Sequence, residues 1–283
     1  MVEQGKHFVL NLAPTGMVLD KKDCSHLPVT HEEVCSDVTH CSEIGLTTVH
    51  LHARHDDGAP TSDPDVYARL IDRIRNTHPE LVVCVSCSGR NQPSFESRAR
   101  VLDLDGDLKP DMASLTTSSL NFSRSASVNA PDTVRRLAER MRENGIKPEI
   151  EIFDLGMVNY VHYLIRKDVL EAPFYFNIIL GNIASAQADP IHVGAILREL
   201  PKDSLWSLGG IGRAQLSANA MALCLGGGVR VGLEDNIWFD EARTTMASNR
   251  SLTARTVEIG RLLGRTPMPP AVFRSMLGLA PLR

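Results

Sequence analysis

The 283-residue chain carries 30 Lys and Arg against 34 Asp and Glu, a net charge of −4, with 43% hydrophobic and 23% charged residues. That balance suits a soluble globular protein with a large core. It offers no basic tract for gripping nucleic acid, and no apolar run approaches the about 20 residues that cross a bilayer. Six cysteines are too sparse for a disulfide scaffold, and Met1–Phe8 lacks a signal-peptide layout, so a cytoplasmic protein is expected.

Short apolar or β-branched runs alternate with amphipathic stretches along the chain. Strands are predicted at 7–13, 47–54, 81–88, 112–119, 148–154, 174–180, 205–210 and 228–234. Helices are predicted at 31–44, 64–77, 131–145, 157–168, 190–200, 214–226 and 248–264, with a last one near 270–279. Several starts are marked: Thr30 precedes Glu32-Glu33, Asp63 precedes Pro64, and Pro131-Asp132 opens a charged first turn. This alternation predicts a parallel sheet, and the number of strands favours an α/β TIM barrel, (β/α)8, over an open doubly wound sheet. With no linker or repeat in view, 1–283 reads as one domain. Cys84-Val-Ser-Cys87 lies in a strand-like run where residues three apart face opposite ways, which disfavours a shared metal or redox disulfide.

A barrel gathers its working groups at the C-terminal ends of the strands, and the unusual polar residues of this chain fall there. The second strand ends in His50-Leu-His52, two imidazoles on one face where they can hold one divalent ion. Two strand histidines bonded to their neighbours are the alternative. The third strand ends in Ser86 and Ser88, followed by Gly89-Arg90, and the fourth carries Ser114 and Thr116. Glu149 and Glu151 share a face of the fifth, and Arg230, Gly232 and Glu234 share a face of the eighth. In a closed barrel the eighth strand neighbours the first, so Glu234 can lean across toward His50 and His52. Two histidines and a carboxylate suit Zn²⁺, and with more open positions Fe²⁺ or Mn²⁺; an ion pair between Glu234 and Arg230 is the alternative. The glycines of Leu208-Gly-Gly-Ile-Gly-Arg213 lead into a helix, so Gly210, Gly212 and Arg213 offer either a phosphate cradle or a tight barrel turn.

Seven segments, in order across nearly the whole chain, carry a family resemblance: Ala13-Pro-Thr-Gly16, Leu27-Pro-Val-Thr30, Val49-His-Leu-His-Ala-Arg54, Asp111-Met-Ala-Ser-Leu115 with Asn121-Phe122, Lys147-Pro-Glu-Ile-Glu151, Gly210-Ile-Gly-Arg213 and Arg230-Val-Gly-Leu-Glu-Asp-Asn236. The chain resembles the β-keto acid cleavage enzymes. The resemblance implies a (β/α)8 barrel holding Zn²⁺ on His50, His52 and Glu234. It also implies condensation of a β-keto acid with acetyl-CoA, giving acetoacetate and the CoA thioester of the remaining fragment. It assigns the catalytic aspartate to Asp235, with Arg230 and Glu151 beside it and Ser86 toward substrate; Ser114 stands where the family has a threonine. A homo-oligomer, a tetramer, is implied as well.

The chemistry asks for such groups: metal polarisation acidifies C2 of the keto acid, Asp235 takes the proton, and Arg230 stabilises the developing charge. Ser86 and Ser114 are expected to orient the substrate carboxylate. Asp235 has the opposite strand parity to Glu234, so it reaches the site only if the backbone bends. In the aminohexanoate-cleaving members an acidic residue stands two positions after the first-strand Thr-Gly; here that position is Val18, so an amino-bearing substrate is not favoured. Arg90 is either an anchor for an anionic tail or a solvated loop residue. An amidohydrolase-like metal hydrolase also uses His-x-His, but it needs further histidines ending the fifth and sixth strands, and His162 falls in a predicted helix. A non-catalytic metal- or metabolite-binding barrel is the remaining alternative.

Overall fold

A computed structural model describes residues 5–280. The chain forms strands β1 (Leu10–Leu12), β2 (Thr48–Leu51), β3 (Val82–Val85), β4 (Met112–Thr116), β5 (Lys147–Ile152), β6 (Phe174–Leu180), β7 (Ser204–Gly210) and β8 (Gly228–Val231). They are parallel and close into a barrel in sequence order, with β8 pairing back onto β1 through Arg230 opposite Asn11. Around them lie α1 (His31–Ser42), α2 (Pro64–Thr77), α3 (Phe95–Ala99), α4 (Pro131–Glu143), α5 (Leu155–Arg166), α6 (Pro190–Glu199), α7 (Ala214–Cys224), α8 (Asn249–Leu262) and α9 (Pro270–Leu277). None of the described helices is long and apolar enough to cross a membrane.

Local chemistry sets the helix starts. The Thr30 hydroxyl accepts from the Glu33 N–H at 3.2 Å, and the Glu33 carboxylate accepts from the Thr30 N–H at 3.1 Å, satisfying two donors at the head of α1. Asp63 caps α2 and Asp154 caps α5. Pro64, Pro131 and Pro190 occupy first turns, where no intrahelical partner for the missing N–H exists.

Besides shortened strands and shifted helix ends, three segments differ from the sequence expectation. The first strand splits: His7–Phe8 pairs with Thr266–Pro267 outside the barrel, and only Leu10–Leu12 enters it. After Leu51 the second strand leaves the barrel, and Ala53–Arg54 pairs antiparallel with Pro60–Thr61. The stretch after β3, where no helix was expected, holds α3 and two short 3₁₀ turns, Arg100–Asp103 and Gly106–Leu108. Elements this short complete too few turns to leave a helical period in the sequence.

The barrel interior is graded from bottom to top. Val9, Val82, Met112 and Tyr175 form an apolar floor plugged by Met268, Phe273 and Leu277, with Phe273 meeting Tyr175 edge-on at 5.0 Å. Above the floor the Asn11 amide donates to Glu149 Oε1 at 2.7 Å and to Tyr175 Oη at 3.2 Å, and Tyr175 bonds Ser207 Oγ at 2.9 Å. The charged residues crowd the upper rim. Buried charges persist only when paired, so the rim defines where the chemistry must be sought.

Candidate active site

The upper end of the barrel opens into a cleft of about 390 Å³ lined by His50, His52, Glu151, Arg230, Glu234 and Asp235, among others. His50 is fixed from below: its Nδ1 contacts Glu149 Oε2 at 2.6 Å, and Glu149 is itself held by the Asn11 amide and by the Cys84 thiol, which donates at 3.4 Å. A ring held this way donates its Nδ1 proton to the carboxylate and turns Nε2 upward. His50 Nε2 is buried and has no partner among the described residues, and neither has Glu234 Oε2. His52 Nε2 lies 3.3 Å from Glu234 Oε1, and the two imidazole centroids are 5.2 Å apart. One donor atom from each of His50, His52 and Glu234 falls within 4.8 Å of the others. A carboxylate behind a histidine whose far nitrogen is unpartnered is the pattern that orients a metal ligand.

His50, Cys84 and Glu149 also offer donors within that span. The 2.6 Å contact there is a hydrogen bond that uses Nδ1, and burial together with Glu149 pushes the Cys84 thiol far up, so it stays protonated. That trio fixes the His50 ring from below.

Arg230 organises the acidic residues. Its Nε donates to Asp235 Oδ2 at 2.8 Å, its Nη2 to Glu234 Oε1 at 2.8 Å, and its Nη1 reaches Glu151 Oε1 at 3.5 Å. Gly209 on β7 makes room, since a Cβ there would lie 3.1 Å from Arg230 Cβ. The parity problem of Glu234 and Asp235 is resolved at Gly232, whose φ of +149° breaks the strand and whose missing Cβ avoids the Ala13 backbone. The turn brings both carboxylates to one guanidinium.

Burial and charge set the protonation. Burial opposes ionisation of His50, but the charge and hydrogen bond of Glu149 win and raise it to about 9. Burial would raise Glu234, yet His52 and Arg230 hold it well below the usual carboxylate range. Asp235 and Glu151 end above their ordinary values because burial outweighs Arg230 at the first and His50 together with Arg230 at the second. Burial works against Arg230 too, but Asp235 and Glu234 keep it firmly charged.

The other residues singled out in the sequence are distributed around this centre. Ser86, Thr116, Val18, Arg90 and Gly212 line the cleft, and the Thr116 hydroxyl donates to Glu151 Oε2 at 2.7 Å. Ser114 lies deeper, its hydroxyl accepting from the Cys87 N–H at 3.1 Å. At the Gly210–Arg213 turn, the N–H of Ile211 donates to Leu180 O at 2.9 Å and that of Gly212 to Asp235 O at 2.8 Å, so both are committed to the fold. Arg213 is exposed. Where a metal hydrolase would need further histidines, β5 offers Glu151 and β6 ends in Ile179-Leu180; His162 sits on α5, bonded through Nε2 to Glu199 O at 2.7 Å.

Glu149 and Asn11 escaped assignment. Glu149 was visible as the strand neighbour of Glu151 on one face, and Asn11 as a lone amide in Val9-Leu-Asn-Leu12. Phe122, Arg124, Trp238 and Arg243 also line the cleft, from loops that carry no periodic signal.

Together these features define a TIM barrel with a two-histidine, one-carboxylate centre at its rim. The chain belongs to the β-keto acid cleavage enzyme family, whose model matches residues 7–279. It is 32% identical to a 3-keto-5-aminohexanoate cleavage enzyme of Fusobacterium nucleatum, over 96% of this chain and 98% of that protein. It is 36% identical to a 3-oxoadipate:acetyl-CoA acetyltransferase of Cupriavidus necator, over 96% and 94% respectively. Among solved structures, ObcA in binary complex with oxaloacetate superposes with a TM-score of 0.80 at 21% identity, covering 90% of this chain and 68% of that one, a likeness of fold.

Proposed function

We propose that the protein is a divalent-metal enzyme, zinc-loaded in its working form, that exchanges acyl groups between a β-keto acid and acetyl-CoA. In the overall reaction R–CO–CH₂–COO⁻ and CH₃–CO–SCoA give CH₃–CO–CH₂–COO⁻ and R–CO–SCoA. The observation that carries the metal is the convergence of the unpartnered His50 Nε2 and Glu234 Oε2 with His52, above a ring fixed by Glu149. His50, His52 and Glu234 would hold the ion, which when bound supplies Lewis acidity toward the oxygens of the keto acid.

The remaining roles fall to the chain itself. Asp235, raised by burial and aimed by Arg230, takes a C2 proton. The C2 carbanion then attacks the acetyl carbon, and the CoA thiolate leaves. The same thiolate later adds to C3, the C2–C3 bond breaks, and the electron pair passes to the acetoacetate fragment, which recovers the proton. Arg230 stabilises the charge that develops on oxygen, and Glu151 holds the far side of its guanidinium. The Ser86 hydroxyl, on the cleft lining, orients the substrate carboxylate, while Thr116, which also lines the cleft, positions Glu151 through its hydroxyl. Ser114 supports the loop after β3 through Cys87. The Gly210, Gly212 and Arg213 turn is assigned to CoA through the exposed Arg213 side chain, which lines a small pocket beside the cleft with Gly212 and Arg243, since the Gly212 N–H is already engaged.

We take residues 1–283 as one functional domain, assembled as a homotetramer in the cytoplasm beside the acetyl-CoA pool, a reading supported by the family resemblance. Metal analysis of the purified protein, followed by CoA-ester assays across β-keto acids, tests the proposal. One zinc per chain, with turnover lost in His50→Ala and after chelation, supports it. Turnover undiminished in metal-stripped protein, or no CoA ester from any β-keto acid, overturns it.

A further inference from the structure

Arg230 is bonded to carboxylates, and both terminal nitrogens of Arg54 donate to the carbonyls of Gly16, Leu19 and Gly58, although its Nε is unpartnered. Arg90 differs. It is half-buried on the loop after β3 and lines the same cleft as His50 and Glu234, yet its guanidinium bonds no described residue and its buried Nε is unpartnered. What holds it is apolar: its guanidinium carbon lies 3.6 Å from the Phe122 ring centroid, and Phe122 packs edge-on against Phe153 at 5.8 Å. The loop beneath is pinned, with the Arg90 N–H directed to Ser88 Oγ at 3.4 Å and the Ser88 N–H to Ser86 Oγ at 3.2 Å. A guanidinium stacked on a ring keeps its in-plane N–H edge open, and that edge matches a carboxylate.

The charge lies within the electrostatic reach of Glu234, Glu151 and Asp235, which places it inside the catalytic cleft and apart from the exposed rim residues Arg124 and Arg243. Val18, 54% exposed and lining the same cleft, presents no anion of its own to a cationic tail. We infer that Arg90 receives a second carboxylate at the far end of the substrate, so that the preferred substrates are β-keto dicarboxylic acids. This rests on the reaction proposed above. A phosphate of CoA shares the anion chemistry, and the test separates the two sources.

The metal-replete enzyme is assayed with acetyl-CoA and either 3-oxoadipate or 3-oxohexanoate, which has the same carbon skeleton length but lacks the second carboxylate. The wild type is expected to favour the diacid in kcat/KM. Arg90→Gln lowers that preference about 10- to 100-fold, the loss of one charge-assisted contact, mainly through the KM of the diacid. Arg90→Lys restores part of it. Equal preference in wild type and Arg90→Gln, or a raised KM for acetyl-CoA with the diacid preference intact, overturns the inference while turnover of 3-oxohexanoate to butyryl-CoA keeps the parent reaction standing. If neither acid yields a CoA ester, both fall.

Discussion

Glu149→Gln isolates what the carboxylate under His50 does, because the amide keeps the shape and removes the charge. Two effects follow, and they oppose each other. In the metal-free protein Glu149 raises His50 from an ordinary 6.5 to about 9. Metal takes Nε2 only after that nitrogen loses its proton, so proton competition weakens binding tenfold per pH unit below about 9, or about 100-fold at pH 7. With Gln, burial and the Arg230 charge are opposed by Glu234 alone, so the ring gives up its proton more readily and this competition weakens. Against that gain stands the loss of a charged acceptor on Nδ1, typically about 10- to 100-fold in metal affinity. At pH 7 the gain offsets part of the loss; at pH 9 only the loss remains. Metal titration of chelator-stripped protein against a competing dye should therefore show Glu149→Gln binding about 10- to 100-fold more weakly at pH 9, with the gap closing toward pH 7. Equal affinity at pH 9, or a gap that ignores pH, would refute the claim that Glu149 holds and charges the ring.

Asp235→Asn should lower kcat about 10²- to 10⁴-fold, the usual weight of a positioned base, with metal content unchanged by elemental analysis. A parallel loss of metal would reassign Asp235 to holding Glu234. Gly232→Ala forces a side chain into the Ala13 backbone at φ +149°; thermal and denaturant unfolding should show a loss of about 3 kcal/mol or more. Phe273→Ala removes the plug under Tyr175 and should cost about 3–5 kcal/mol by the same measurements, while kcat/KM at 25 °C changes little because the floor lies below the Asn11–Glu149 layer. A large kinetic effect there would show that the floor positions Tyr175 for the site.

The barrel was legible because the strands are short apolar runs and several of the longer helices carry their own start chemistry, as at Thr30, Asp63 and Pro131. The rim was legible for the same reason: a histidine pair or an Arg-x-Gly-x-Glu run conflicts with burial, and conflicts mark function. What the sequence concealed depends on three-dimensional closure. Glu149 looks like any glutamate beside Glu151 until β5 is seen to face β2 across the barrel, where it meets His50. Asp235 has the wrong parity on a straight strand, and the remedy is a backbone angle at Gly232 that only the fold reveals. Phe122 under Arg90 joins two loops, and loops carry no period to read.

The arrangement of charge gives the centre its logic. Glu151, Glu234 and Asp235 bring three carboxylates against the single guanidinium of Arg230, and Glu149 adds a fourth beneath His50. A proton held by His50 offsets one of them, which is why burial fails to lower that ring. Carboxylates packed this closely repel unless cations intervene. A divalent ion held by His50, His52 and Glu234 would supply twice the charge of that proton. Arg90, stacked on Phe122 and away from every carboxylate contact, is then the one half-buried cation with a free edge among the described cleft residues, and substrate selection falls to it.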